Sequence, residues 1–312
     1  MSSTILVTGA AGYLGSILIP KLLECGHQVI ALDTFNRGDT ALAHVTADTN
    51  FEPVRGDARD EETLKGLVAR ADVAIPLAAV VGAPLCKQDP IAARTTNFDA
   101  IVSLIKLMSK DQRIIYPTTN SGYGIGQKGV FCTENTPLNP VSLYGVTKVE
   151  AEKAILDRGN GITLRLATVF GMAPRMRIDL LVNDFTYRAV TDRAVVIFEG
   201  DAKRNYIHVR DVAKAFIHAI DNYDAMDGEP YNTGLSTANL SKLELCDRIR
   251  EYVPEFVSLT APIGEDPDKR DYIVSNEKLE KTGWLPDHTI DMGIQELIRG
   301  YRMIRNGRYS NV

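Results

Sequence analysis

Thr8-Gly9-Ala10-Ala11-Gly12-Tyr13-Leu14-Gly15 decides the fold of this chain. It follows the short apolar run Ile5–Val7 and opens Leu14–Cys25, whose apolar residues recur at helical spacing. Gly9 allows a tight turn, Gly12 lets backbone approach a pyrophosphate, and Gly15 lets a helix close on a sheet. A helix starting here turns unpaired N–H groups and the positive end of its dipole toward phosphate. Tyr13 and Leu14 sit in the same turn and are read as part of that site.

Outward from this turn, short apolar runs alternate with helical periodicity. The strand candidates are Ile5–Val7, Val29–Leu32, Phe51–Val54, Val73–Leu77, Ile114–Tyr116 and Ile162–Arg165. Helices are expected over Leu14–Cys25, Asp60–Ala69, Ala92–Met108 and Ser142–Leu156. Such alternation implies parallel pairing through right-handed crossovers, hence an α/β, Rossmann-type doubly wound sheet. After Gly171 the alternation is lost, and helices are expected over Val209–Ile220, Ser241–Tyr252 and Asp291–Arg305. The expected organisation is a dinucleotide-binding domain over 1–170 and a smaller C-terminal substrate-binding lobe over 171–312. Within that lobe, the segment from about 205 to 235 is expected to pack back on the first domain.

The bulk properties exclude several classes. The chain has 312 residues, 45% hydrophobic and 24% charged, which suits a folded globular protein. A formal net charge of −5 offers no electrostatic reason to bind nucleic acid or an anionic membrane. Cys25, Cys86, Cys132 and Cys246 lack zinc-like spacing and read as reduced buried thiols in a cytoplasmic protein, with no metal expected. The strand-like start leaves no room for a signal peptide. The most apolar stretch, Val73 to Cys86, is too short for a bilayer and is broken by Pro76, Gly82 and Pro84. The basic end, Arg299 to Arg308, reads as a solvated helix terminus.

Three features give the glycine turn a chemistry. Asp33 ends the second strand, where a carboxylate can accept from both adenosine ribose hydroxyls and repel a 2′-phosphate, favouring NAD over NADP. Arg37, close by, is the residue that could meet a 2′-phosphate instead. Asp57, in Gly56-Asp57-Ala58 after the third strand, can accept the adenine amino group or cap the next helix. Leu77-Ala78-Ala79 places small residues where the fourth strand would pass the cofactor. Tyr144 and Lys148, in Ser142-Leu143-Tyr144-Gly145-Val146-Thr147-Lys148, lie one helical turn apart on one face. An ammonium beside a phenol favours the phenolate, and closing the gap from ~10 to neutral requires roughly 4 kcal/mol. The pair therefore suggests proton abstraction from an alcohol.

Taken together, these motifs resemble the extended short-chain dehydrogenase/reductases, and more narrowly their nucleotide-sugar epimerase and dehydratase branch. The resemblance covers nearly the whole chain. Its C-terminal marks are Arg204-Asn205-Tyr206-Ile207-His208-Val209-Arg210-Asp211-Val212-Ala213, Tyr231-Asn232-Thr233-Gly234, Arg270-Asp271-Tyr272 and Gly283-Trp284-Leu285-Pro286. The resemblance implies that Thr119, four residues before Tyr123, is the catalytic hydroxyl beside Tyr144 and Lys148. It also implies NAD as cofactor, with Ala58, Asn97 and Thr118 joining the residues named above. A nucleotide-diphosphate sugar is the implied substrate, with Asn120, Asn183, Arg204 and Arg270 as contacts. His208 and His218 read as structural, Asp211 as a helix anchor and Trp284 as packing. A homodimer pairing the helices at Ala92–Met108 and Ser142–Leu156 is expected.

Two departures narrow the reaction. Sugar 4,6-dehydratases of this branch carry an Asp-Glu pair directly after the Thr, and the decarboxylases place a Glu at the second of these positions. Here stand Asn120 and Ser121, neither able to serve as that acid or base. Epimerases also usually have a β-branched residue where Gly122 sits. The resemblance then implies C4 epimerisation through a 4-keto sugar. The alternatives are a C4 dehydrogenase or reductase, then a 4,6-dehydratase, and, from another class, a non-catalytic NAD(H)-binding sensor.

Overall fold

Ile5, Leu6 and Val7 are wholly buried, as a strand covered by helices on both faces requires. They form the middle of β1 (Thr4–Thr8), which pairs in parallel with β2 (Gln28–Asp33) and β4 (Val73–Pro76). Parallel pairing extends outward to β3 (Phe51–Arg55) and β5 (Arg113–Thr119). With strands Gly161–Leu166 and Pro230–Thr233 the sheet has seven strands, in the order Pro230–Thr233, Gly161–Leu166, β5, β4, β1, β2, β3. The strand order reverses between β1 and β4, the switch point where doubly wound sheets bind ligands. The expected α/β fold is the one found. In this computed structural model, residues 2–37, 40–261 and 270–304 are described.

The helices of this sheet are α1 (Gly15–Glu24), α2 (Glu61–Val68), α3 (Ala83–Gln88), α4 (Pro90–Arg94), α5 (Ala100–Leu107) and α6 (Leu143–Arg158). Ser142 caps α6 by accepting from Gly145 N at 3.2 Å, and Asp60 caps α2. Helix α3, not anticipated, begins where Gly82 takes φ +97° and Pro84 falls in its first turn, where the missing N–H costs nothing. One expectation about helices needs correction. The span Ala92–Met108 is not one helix, because Thr95–Asp99 forms a π-helical turn between α4 and α5. On one face of the sheet, Ala151 and Ile155 of α6 share a core with Ile114 and Tyr116 of β5 and Ile101 and Leu104 of α5.

The chain forms two compact units that interleave in sequence. The first comprises Met1–Thr119, Ser142–Arg165 and Ala213–Tyr231; the second comprises Asn120–Val141, Leu166–Val212 and Asn232–Val312. The second unit contains a sheet of Asn239–Ser241, Lys203–His208 and Thr168–Phe170. Its helices include Leu181–Thr191, Lys242–Tyr252 and Ile290–Gly300. A reciprocal Ser241/Glu244 capping box starts Lys242–Tyr252. The last helix stops at Gly300, short of the expected Arg305; Arg305 and Arg308 lie outside the described residues. Trp284 is buried, as are Cys86, Cys132 and Cys246, whereas Cys25 is exposed at the end of α1. Among the described residues no helix is long and apolar enough to cross a membrane.

Candidate active site

The glycine turn is built as its residues require. Gly9 has φ +67°, and a Cβ there would lie 2.5 Å from the Ala78 backbone nitrogen, so β1 and the end of β4 meet only through a glycine. At Gly15 a Cβ would collide with the Ala10 carbonyl. Among the described residues no side chain caps the start of α1, and its first turn carries no acidic residue. Its amino end therefore keeps its positive partial charge for an anion. The Asp33 carboxylate accepts from Ala11 N at 3.0 Å and Phe35 N at 2.8 Å, bracing the glycine turn from the next strand.

Other cofactor candidates have internal partners. Arg59 holds the Asp57 carboxylate, its Nη2 at 2.6 Å, and lowers its pKa; the helix cap weighed for Asp57 belongs to Asp60. Asn97, buried in the π turn, donates to Val80 O at 2.9 Å and accepts from Val80 N at 2.8 Å. Its amide nitrogen also donates to Thr147 Oγ1 at 3.3 Å. Asn97 thus ties the chain leaving Leu77-Ala78-Ala79 to α6. The Thr118 hydroxyl is buried and has no hydrogen-bond partner among the described residues.

On α6, Tyr144 is half-buried and Lys148 is 3% exposed. The Lys148 ammonium stands 3.9 Å from the centroid of the Tyr116 ring, a cation–π contact from β5. Burial pulls the Lys148 pKa down to about 7, against the upward pull of the Glu152 carboxylate. Glu152, one turn further along α6, forms a buried ion pair with Arg165 at 2.6 Å. Thr119 is buried at the carboxyl end of β5. Tyr116, Glu152 and Arg165 were not read from the sequence. Spacing gave a signal for Glu152, which repeats the interval from Tyr144 to Lys148 on the same helical face.

The second unit holds the residues expected at the substrate. Asn120 begins a 3₁₀ turn over Asn120–Tyr123, is 1% exposed, and neither atom of its amide has a hydrogen-bond partner among the described residues. Arg270 donates to the Ser121 hydroxyl. Burial raises the Tyr206 phenol pKa while Arg204 and Arg270 both lower it, so the two guanidinium groups act on one phenol. Two cations so placed suit a multiply charged anion. Asn183 is placed otherwise: its amide oxygen accepts from Gly171 N at 3.0 Å and its nitrogen donates to Arg177 O at 2.8 Å. That amide braces the chain between Gly171 and Arg177.

The remaining motif residues are structural. His208 is buried, stacks on His288 with ring centroids 4.2 Å apart, and meets Glu296 at 2.8 Å. Asp211 accepts from Asp287 N and His288 N at 3.0 and 3.1 Å, anchoring that segment. His218 lies against Asn222. The Asn232 amide accepts from Tyr123 Oη at 2.7 Å and donates to Ser275 O at 3.0 Å. Among the described residues no group of three or more His, Cys, Asp or Glu could hold a metal.

Comparison with known proteins adds to this geometry. The model of the NAD dependent epimerase/dehydratase family matches residues 5–234. UDP-glucuronic acid decarboxylase 1 of Arabidopsis thaliana is 26% identical over 315 residues, covering 96% of this chain and 69% of its own. The UDP-glucose 4-epimerase of Mycolicibacterium smegmatis is 29% identical over 315 residues, covering 95% of this chain and 98% of its own. Among solved structures, the UDP-glucose 4-epimerase of Thermotoga maritima with UDP-glucose superposes with a TM-score of 0.83 at 25% identity, covering 96% of this chain and 98% of that one.

Proposed function

We propose that this chain, which belongs to the NAD dependent epimerase/dehydratase family, is a nucleotide-sugar 4-epimerase working through a 4-keto sugar. The residues present fit a dinucleotide. Gly9 lets the glycine turn lie directly against the Ala78 backbone, α1 presents an amino end that no described side chain caps, and Asp33 stands at the end of β2. Bound NAD would accept a hydride from a sugar carbinol and return it. The chain's own residues govern the proton: Tyr144 takes it from the C4 hydroxyl, Lys148 favours the phenolate, and Thr119 holds the hydroxyl in line. On the second unit Asn120, Arg204 and Arg270 supply amide and guanidinium groups for a sugar hydroxyl and a diphosphate.

One observation carries the choice of epimerisation. The turn after Thr119 offers Asn120 and Ser121 where elimination or decarboxylation would call for a carboxylate, and Ser121 is held by Arg270. The test is incubation with UDP-, GDP-, CDP- and dTDP-sugars, with products followed by mass and NMR. An epimer of unchanged mass, with NAD(H) recovered from the denatured protein and no net NADH, is expected. Net NADH with a keto product would replace this reading by a C4 dehydrogenase, and loss of 18 Da by a dehydratase.

A further inference from the structure

We infer that the buried Glu152–Arg165 ion pair is a positioning device for Lys148, holding its side chain in the charged state that the Tyr144 base requires. The inference rests on reading Tyr144 and Lys148 as the base and its partner. Tyr144, Lys148 and Glu152 form one stripe along α6, each four residues from the next. Both Glu152 oxygens accept from Arg165: Nε lies 3.1 and 3.2 Å from them, and Nη2 lies 2.6 Å from Oε1. The side chains are 4% and 6% exposed.

A pair so deeply buried needs a reason other than stability, because hydrophobic residues of similar volume serve a core at least as well. A second pair anchored on α6, Glu150 with Arg94 of α4, is about as exposed as surface pairs usually are and contributes little. What distinguishes Glu152 is the group one turn before it. Lys148 is an ammonium in a nearly dry place, with an aromatic face on one side. Burial alone drives it toward the neutral amine, and the Glu152 carboxylate opposes that. A neutral amine does nothing for a phenolate.

Among the described residues, few titratable groups act on Lys148 or on the ring beneath it. From α6 come Tyr144 and Glu152, and from β5 comes Tyr116, whose phenol is raised by burial and by both of those neighbours. Cys86 of α3 and the amide of Asn97 in the π turn meet each other and, through Asn97, Thr147 beside Lys148 on α6; both are uncharged. Arg165, on strand Gly161–Leu166, reaches the group through Glu152. Its guanidinium fixes the carboxylate and takes up part of its field. The carboxylate and the guanidinium therefore act on Lys148 with opposite signs.

That opposition gives the test. Cofactor-free protein labelled with 13C at the lysine ε-carbons is titrated by NMR, with the Lys148 resonance identified by its loss in Lys148→Met. In Glu152→Gln the midpoint is expected to fall by about one pH unit, and in Arg165→Gln to rise by about one unit. Each single variant leaves a buried charge unpaired and can unfold. Glu152→Gln/Arg165→Gln leaves neither partner of the pair charged, and its midpoint is expected below the wild-type value. An unmoved midpoint in the double variant, or displacement in the same direction in both single variants, overturns the inference. The alkaline limb of kcat should move as the midpoints do, whereas a merely structural pair would lower kcat evenly across pH. The titration uses neither sugar nor NAD, so it stands or falls separately from the epimerase reading, which a turnover-competent Tyr144→Phe would sink alone.

Discussion

Replacing Lys148 by Met should make the cofactor-free protein more stable while destroying its activity. Burial holds the Lys148 pKa at about 7, against an ordinary value of 10.5. Each unit of that difference corresponds to about 1.4 kcal/mol, so the charged lysine costs the folded state at most roughly 5 kcal/mol. The sign follows from proton uptake. Above pH 10.5 neither state binds this proton and the cost is absent. Between 10.5 and 7 the unfolded chain holds a proton that the folded chain lacks, so wild-type stability falls by about 1.4 kcal/mol per unit as pH drops. Below 7 both states are charged and the full cost remains. Met fills a similar volume without a charge and leaves the Glu152–Arg165 pair intact. Urea denaturation of both proteins at pH 7, 8.5 and 10 gives the difference directly. It should be largest at pH 7, reach several kcal/mol there, and shrink toward pH 10. A Lys148→Met protein no more stable than wild type at pH 7, or a difference that does not vary with pH, would refute the reasoning.

Tyr144→Phe should lower kcat by about 10³-fold or more with the fold unchanged, measured by product NMR beside circular dichroism. Gly9→Ala should abolish NAD retention, because its Cβ meets the Ala78 backbone at 2.5 Å and the φ of +67° disfavours a side chain; NAD recovered after denaturation reads this out. Asn120→Ala should leave the free protein as stable or up to about 2 kcal/mol more stable, by removing a buried amide without partners, while raising KM for the sugar; thermal unfolding and initial rates separate the two effects.

The parts of the fold legible in the sequence were those written locally. The run into the glycine turn, the apolar strands and Ser142 before α6 each carry their signal within a few residues, and each stands where expected. The π turn at Thr95–Asp99 was not legible, because its periodicity passes for a continuous helix. Its cause is tertiary, since Asn97 must point inward to meet Val80 and Thr147. Helix α3 was not named, although Pro84 just after Gly82 is the kind of first-turn proline that marks a start. At the site, Tyr144 and Lys148 were visible as a spacing, but Tyr116 and Arg165 come from other strands. No local pattern could place them beside the same helix.

The contrast among the buried asparagines says most about which residues await a ligand. Asn97, Asn183, Asn205 and Asn232 are all almost wholly buried, and each amide is satisfied by backbone or side-chain partners. Asn276 is equally buried and is half satisfied: its nitrogen donates to Asn205 Oδ1 at 3.4 Å, while its oxygen has no partner among the described residues. Asn120 is as deeply buried, yet both of its amide atoms lack partners among the described residues, and Thr118 nearby has a buried hydroxyl in the same condition. Leaving such groups unpaired costs about 1–3 kcal/mol each. Lys148 adds a desolvated charge on α6. These costs flank Thr119 in sequence and fall on the helix that carries Tyr144. Single buried atoms without partners also occur among the described residues at Thr163, Thr186, Tyr206, Asn276, Trp284 and Asp291, so position alone does not mark a site; Asn120 stands apart because both of its amide atoms lack partners, which makes Asn120→Ala the variant that tests whether this amide waits for a ligand.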